Sequence, residues 1–151
     1  MGFRIKKLLK KHIKKEYVDT INHPQSKKYI EFSKKGNCQK TKKDLIDYLT
    51  KIPKDEFLYG VFKKNTHVAN FKFQSINKRI FIGFLTLNRY QGKGIFNIIF
   101  PKIINLLKIK YPKVKKLYLG VDKKNYRAIS LYKKLGFKFI TKYSRIMNLS
   151  V

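Results

Sequence analysis

The sequence predicts an α+β fold: a mixed, mostly antiparallel central sheet flanked by helices, with one parallel crossover. Three observations carry that expectation. Between Phe57 and Leu87, three strand-like runs are separated by short polar turns, the pattern of an antiparallel meander. Farther on, strand-like Val114–Val121 lies between two segments of helical period, an order that makes a parallel crossover. At 151 residues, 43% of them hydrophobic and 15% aromatic, the chain reads as one domain over 1–151 with enough apolar surface for a real core.

Taken in order, Phe3–Leu8 reads as a first strand and Lys10–Lys15 as a basic stretch. Ile13, Tyr17, Val18 and Ile21 then fall at helical spacing. His23-Pro24 ends that helix, because a residue before proline avoids the α region. A short helix is expected over Ser26–Phe32 and a loop at Gly36-Asn37. Thr41 and Asp44 are spaced as a capping box with Asp in the usual Glu place. The helix they open has Leu45, Ile46 and Leu49 as its buried stripe, and Pro53 stops it. Strands Phe57–Lys63, Thr66–Gln74 and Arg79–Leu87 turn at Lys64-Asn65 and at Ser75-Ile76-Asn77-Lys78.

A glycine-bearing turn, Asn88–Gly94, feeds a helix from Ile95 to about Lys110, with Ile95, Ile99, Ile103, Leu106 and Ile109 as its apolar face. Pro101 lies inside it and should bend it, at a cost of roughly 3 kcal/mol in an unadapted helix. Asn125–Leu135 is a helix closed by Gly136 in the usual C-terminal glycine position. Phe137–Ile140 and Arg145–Leu149 close the sheet.

Charge sets the chain apart. Lys and Arg number 37 against 8 Asp and Glu, a formal net charge of +29. Such a surface attracts CoA, nucleotide sugars, nucleic acid and phospholipid headgroups alike. Only Arg4, Arg79, Arg89, Arg127 and Arg145 are arginines, whereas nucleic-acid readers favour the bidentate guanidinium. The aromatics also follow core periodicity and offer no stacking platform, which argues against a nucleic-acid module. A composition rich in Lys, Asn, Ile, Phe and Tyr is equally what an AT-rich genome encodes.

Gly2–Tyr17 places Phe3, Ile5, Leu8, Leu9 and Ile13 among seven positive charges, a pattern shared by membrane-surface helices and by a strand followed by a solvated helix. No run reaches the ~20 apolar residues of a membrane span. With no apolar leader and a single cysteine, Cys38, a cytoplasmic setting is expected. No set of His, Cys and carboxylates has metal-ligand spacing, so no metal is expected.

Two constellations suggest chemistry. In Arg89-Tyr90-Gln91-Gly92-Lys93-Gly94 a strand ends in a glycine-rich turn that opens a helix. That arrangement presents unpaired N–H groups and the positive dipole end to an anion such as pyrophosphate, with Lys93 and Arg89 adding charge. Alone, it also reads as a turn that needs glycines. The other is Asn125, followed by Ala128, Ile129, Leu131 and Tyr132, then Gly136-Phe137. As bare chemistry Asn125 is a helix cap and Tyr132 an amphipathic core residue.

Together these residues resemble the GNAT acetyltransferase family: Arg89-x-x-Gly92-x-Gly94 is similar to its acetyl-CoA motif, and Asn125-x-x-Ala128-Ile129-x-Leu131-Tyr132-x-x-x-Gly136-Phe137 to its second hallmark. Asn22-His23-Pro24, Tyr29-Ile30 and Thr41 are more loosely similar to the branch of ribosomal-protein N-terminal and amino-sugar acetyltransferases. The resemblance implies an acyltransferase that moves an acetyl group from acetyl-CoA to an amine. Backbone groups of Leu85 and Leu87 would hold the pantetheine arm, and Gln91, Gly92, Lys93, Gly94 and Ile95 the pyrophosphate. Asn125 would bind the CoA arm or a water, and Tyr132 would protonate the departing thiolate.

Many relatives carry a glutamate where Phe81 stands, so the base is open between Asp122, His67 and a water chain. Tyr29 and Glu31 are expected contacts on the acceptor side, although both also read as helix surface. The charge favours an anionic acceptor such as an amino-sugar nucleotide and would repel cationic polyamines and aminoglycosides; a protein N-terminus or a small amine is the alternative. A degenerate basic module binding anionic membrane or nucleic acid competes with catalysis. Monomer and homodimer both remain open.

Overall fold

The computed structural model describes residues 2–23, 40–54 and 56–151. Seven strands lie among them: β1 (Phe3–Lys7), β2 (Glu56–Lys63), β3 (Thr66–Ile76), β4 (Arg79–Thr86), β5 (Lys116–Gly120), β6 (Lys138–Phe139) and β7 (Ile146–Ser150). They form one sheet in the order β1-β2-β3-β4-β5-β7-β6, antiparallel throughout except at β4–β5. The described helices are α1 (Lys15–Asn22), α2 (Lys42–Thr50), α3 (Ile95–Lys110) and α4 (Tyr126–Lys134). The expected α+β class and its single parallel crossover are both present. The helix expected over Ser26–Phe32, the loop at Gly36-Asn37 and Cys38 lie outside the described residues.

Local chemistry sets the boundaries. Asn77 and Lys78 take φ of 49° and 66°, so Ile76 faces Arg79 across a two-residue hairpin. Thr41 and Asp44 form the capping box: the Asp44 N–H donates to Thr41 Oγ1 at 3.1 Å and the Thr41 N–H to Asp44 Oδ2 at 2.8 Å. α1 stops at Asn22, with His23 already extended. α3 continues through Pro101.

Helices cover both faces of the sheet, and β3 buries four consecutive residues, Val68 to Phe71. One core joins Phe71, Phe73 and Ile82 to α3 through Ile99 and Ile103. The other joins Leu8, Ile13, Tyr17 and Ile21 to Leu45 of α2 and to Phe62 and Leu87. The buried stripe of α3 differs from expectation. It runs through Ile95, Phe96, Ile99, Phe100, Ile103 and Leu107, while Ile109 is 71% exposed and Leu106 only partly buried. At about 100° per residue, Ile109 falls roughly 120° from the centre of that stripe, on the solvent side.

Candidate active site

The glycine turn sits where β4 hands the chain to α3. Gly92 and Gly94 adopt φ of 77° and 70°, in the left-handed region that other residues enter at a cost. Gly94 is the N-cap of α3, and the first helical bond runs from the Ile98 N–H to the Gly94 carbonyl at 3.0 Å. The N–H groups of Ile95, Phe96 and Asn97 therefore precede the helical ladder, at the positive end of a 16-residue helix. A Cβ at Gly94 would meet nothing within 4 Å, so the approach to these donors is open.

A Cβ at Gly92 would stand 3.1 Å from Arg127 Nη2. Arg127, an unassigned position within the second sequence constellation, thus brings a guanidinium to the cradle from the first turn of α4. Gln91 and Lys93 are exposed on the turn. Arg89 is exposed as well, and its N–H is held by Glu16 Oε1 at 3.0 Å. Next to it, the Asn88 N–H donates to Thr20 Oγ1 at 2.9 Å, so α1 fixes the turn from below.

β4 and β5 pair only at Ile80–Leu117 and Phe81–Tyr118, then part. A cavity of about 450 Å³ opens there, lined on one side by residues 81–85 and on the other by residues 119–121. The register corrects the expected backbone contacts. The Leu87 N–H donates to the Val68 carbonyl at 3.0 Å, and the Leu87 carbonyl accepts from the Tyr90 N–H at 2.8 Å. Both Leu87 groups are therefore engaged, and its side chain is 2% exposed in the α1–α2 core. Hydrogen-bonded pairs alternate along an antiparallel ladder, so Leu85, opposite Asn70, also faces β3. The backbone groups turned toward the gap belong to Phe84 and Thr86. In agreement, the Thr86 carbonyl accepts from Gln91 Nε2 at 3.2 Å rather than from β3.

On the far wall, Asn125 caps α4 by accepting the Ala128 N–H at 3.3 Å, and it also lines the cavity. Tyr132 lines it two turns later, its ring edge-on to Phe96 at 5.8 Å and to Phe137 at 5.9 Å. Burial pushes its hydroxyl above the ordinary phenol value, so it stays protonated. Asp122 does not line the cavity. Its Oδ1 accepts the Lys124 N–H at 2.8 Å and its carbonyl the Asn125 N–H at 2.9 Å, making it a turn residue that sets Asn125 in place.

His67 is not a cavity residue either. It packs between Tyr17 and Phe62, with ring centroids at 5.6 and 5.4 Å, and burial pushes it down to about 4. Tyr29 and Glu31 lie outside the described residues.

The cavity's other end lies under α1 and α2, where Tyr17, Tyr48, Asn70, Lys72 and Gln74 line it. Behind them is Glu56, whose side chain is 7% exposed. Its Oε1 accepts from Gln74 Nε2 at 2.7 Å and its Oε2 from the Tyr48 hydroxyl at 3.2 Å. Glu56 escaped sequence reasoning because it opens a strand beside Pro53 and looks like a turn acid. Only the cross-strand partner Gln74 marks it as buried. Among the described residues no three His, Cys, Asp or Glu side chains gather as a metal site.

Comparison with known proteins agrees with this architecture. The model of the acetyltransferase (GNAT) family matches residues 24–137. The spermine/spermidine N(1)-acetyltransferase of Bacillus subtilis (strain 168) is 32% identical over 83 residues. That match covers 54% of this chain and spans half the length of the relative. Two solved structures share the fold. The PaiA N-acetyltransferase of Thermoplasma acidophilum, in complex with coenzyme A, superposes with a TM-score of 0.73 at 18% identity over 100% of both chains. RimL, a ribosomal L7/L12 alpha-N-protein acetyltransferase in complex with coenzyme A, gives 0.79 at 10% identity, over 100% of this chain and 95% of its own.

Proposed function

This chain belongs to the acetyltransferase (GNAT) family, and from that premise we propose that it moves the acetyl group of acetyl-CoA to a primary amine by direct attack in the cavity between β4 and β5. The observation that carries the reading is the course of that cavity. It passes through a gap in the sheet, from Phe96 in the first turn of α3 to Tyr17 and Tyr48 under the opposite helices.

The cradle fits a diphosphate: three helix N–H groups, two left-handed glycines, Lys93 and Arg127 surround an open approach. Gap-facing groups of Phe84 and Thr86 would hold the pantetheine arm, and an N–H there would polarise the thioester carbonyl. Asn125 keeps its amide nitrogen for the same arm while its oxygen caps α4. Bound acetyl-CoA supplies an activated acyl group. Tyr132, buried and protonated, would give its proton to the departing thiolate.

For the acceptor, the Bacillus relative's name and the charge distribution both support a cationic alkylamine such as a polyamine. Five of the six described carboxylates, Glu16, Asp19, Asp44, Asp47 and Glu56, lie on α1, on α2 or at the start of β2, the elements nearest the acceptor end of the cavity. The net charge of +29 favours a second reading, a nucleotide-linked amino sugar drawn in by its phosphates.

Calorimetry with acetyl-CoA at about 0.5 M salt, where the Debye length falls to roughly 4–5 Å, tests the cofactor site. Saturable one-to-one binding is expected, matched by neither ADP nor heparin. A panel of spermidine, an amino-sugar nucleotide and a peptide with a free N-terminus, scored by thiol release, then separates the acceptors. Acetyl-CoA binding no tighter than ADP would reduce the glycine turn to a turn.

A further inference from the structure

Phe81 leaves the central strand without a carboxylate at the gap, yet the cross-strand row through Phe81 ends in one. Phe81 faces Gln74 across β3–β4, and Gln74 faces Glu56 across β2–β3. Residues directly opposite share a face of the sheet, and strands lie about 5 Å apart, so Glu56 stands roughly 10 Å from Phe81 on that face. Its carboxylate is sealed from solvent by side chains that themselves line the cavity. Tyr48 and Gln74 donate to it, and Lys72 Nζ lies 4.0 Å from Oε2 while donating to the Tyr48 hydroxyl at 3.1 Å.

Burying a carboxylate is costly unless its bonds are satisfied. Here the satisfying groups point it, through one hydroxyl, at the acceptor end of the cavity. On the acetyl-transfer reading above, we propose that Glu56, acting through Tyr48, takes the proton that an acceptor ammonium must lose before its nitrogen can attack.

The transfer balances. The ammonium N–H proton goes to Tyr48 Oη as the Tyr48 hydroxyl proton passes to Glu56 Oε2. A neutral amine, a neutral phenol and a protonated carboxyl result. Burial and the Glu56 charge both raise Tyr48, so a free tyrosinate is disfavoured and the two moves go together. The titratable groups facing this pair among the described residues are Lys72 from β3 and Tyr17 from α1. Glu56 is thus a positioning residue, and Tyr48 is the group that meets the amine.

The test compares two small amines as acceptors with acetyl-CoA from pH 6 to 10. Propylamine resembles a lysine side chain, with a pKa of about 10, and glycinamide resembles an α-amino group, at about 8. Glu56→Gln preserves shape and one of the two accepting oxygens, and it cannot take up the proton. It should lower kcat/KM for propylamine at pH 7 by about 100-fold, while costing glycinamide less than about threefold at pH 9, where that amine is already neutral. Tyr48→Phe should reproduce the pattern. Equal losses for both amines at every pH would mean a structural role and overturn the assignment, as would no loss at all. A wild-type protein that binds acetyl-CoA but acetylates neither amine would bring down the transfer reading itself.

Discussion

Asn125 and Tyr132 stand seven residues apart on α4, two turns along one helix face, and both open on the cavity between β4 and β5. The residue that starts the helix therefore sets the direction of the residue that would act at its far end. Tyr132→Phe keeps the ring contacts to Phe96 and Phe137 and removes only the hydroxyl. Turnover should fall by one to two orders of magnitude, in line with general-acid effects of roughly 10²-fold. Acetyl-CoA affinity, measured by calorimetry, should stay within about twofold. Unchanged turnover would take Tyr132 out of the chemistry.

Asn125 carries two duties that substitution can separate. Asn125→Ala removes the cap to the Ala128 N–H and should cost about 1 kcal/mol of stability in chemical denaturation. Asn125→Asp keeps a capping oxygen and adds a charge that suits the helix dipole, so stability should return. Affinity for acetyl-CoA should not return with it, since an aspartate has no side-chain N–H to offer the pantetheine arm. If both variants bind acetyl-CoA as the parent does, Asn125 is only a cap.

The parts of this fold that were legible in the sequence are those decided by short-range chemistry. Thr41 with Asp44, the turn expected over Ser75–Lys78 that tightens to Asn77-Lys78, Gly94 before α3 and Gly136 after α4 each need only their near neighbours to take their conformation. What eluded sequence reasoning depends on partners far along the chain. A one-residue phase along β4 decides whether Leu85 or Phe84 turns its backbone to the gap, and the Leu87–Val68 bond on the neighbouring strand sets that phase. Asp122 looked well placed for catalysis by order alone, but its carboxylate is turned into its own loop by the Lys124 N–H. Glu56 drew no reading from its neighbours, because the groups that close over it, Tyr48 and Gln74, lie 8 and 18 residues away.

Arg127 and Gly94 give the cradle its strongest tests. Arg127→Met removes a cation beside Gly92 without touching a buried group, and losing one charge-assisted bond should weaken acetyl-CoA about tenfold or more at moderate salt. Gly94→Ala finds free space for its Cβ, so its cost is confined to the left-handed backbone, about 1–2 kcal/mol. It should weaken acetyl-CoA binding with only that modest loss of stability. A Gly94→Ala protein that binds normally would show that the turn is not the anion site.

Gly60 answers a packing demand rather than a functional one. A Cβ there would lie 2.6 Å from Phe62 Cε2 and 3.0 Å from Leu8 Cδ1, and both side chains are buried in the α1–α2 core. Gly60→Ala should therefore destabilise by about 1–3 kcal/mol through overpacking, read as a lower denaturation midpoint. Gly60→Ala combined with Leu8→Ala should cost less than the sum of the two single changes, because the second makes room for the first. Strict additivity would mean that the two sites do not share that space.

His67 makes acid sensitivity predictable in sign. Its ordinary pKa of 6.5 falls to about 4 in the fold, chiefly because burial between Tyr17 and Phe62 penalises the charged ring. Between those values the unfolded chain binds a proton that the native protein does not, so stability is full above pH 6.5 and drains away as pH falls toward 4. The loss from His67 is on the order of 3 kcal/mol at most. His12, lowered first by burial and then by Lys11, Lys6 and Lys14, pulls in the same direction from a more exposed position. His67→Gln cannot take up that proton, so its denaturation midpoint should change less between pH 7 and pH 4.5 than that of the parent. Identical pH slopes for the two proteins would mean that His67 takes up its proton in the native state as readily as in the unfolded chain, and that its place between two aromatic rings costs the charged form little.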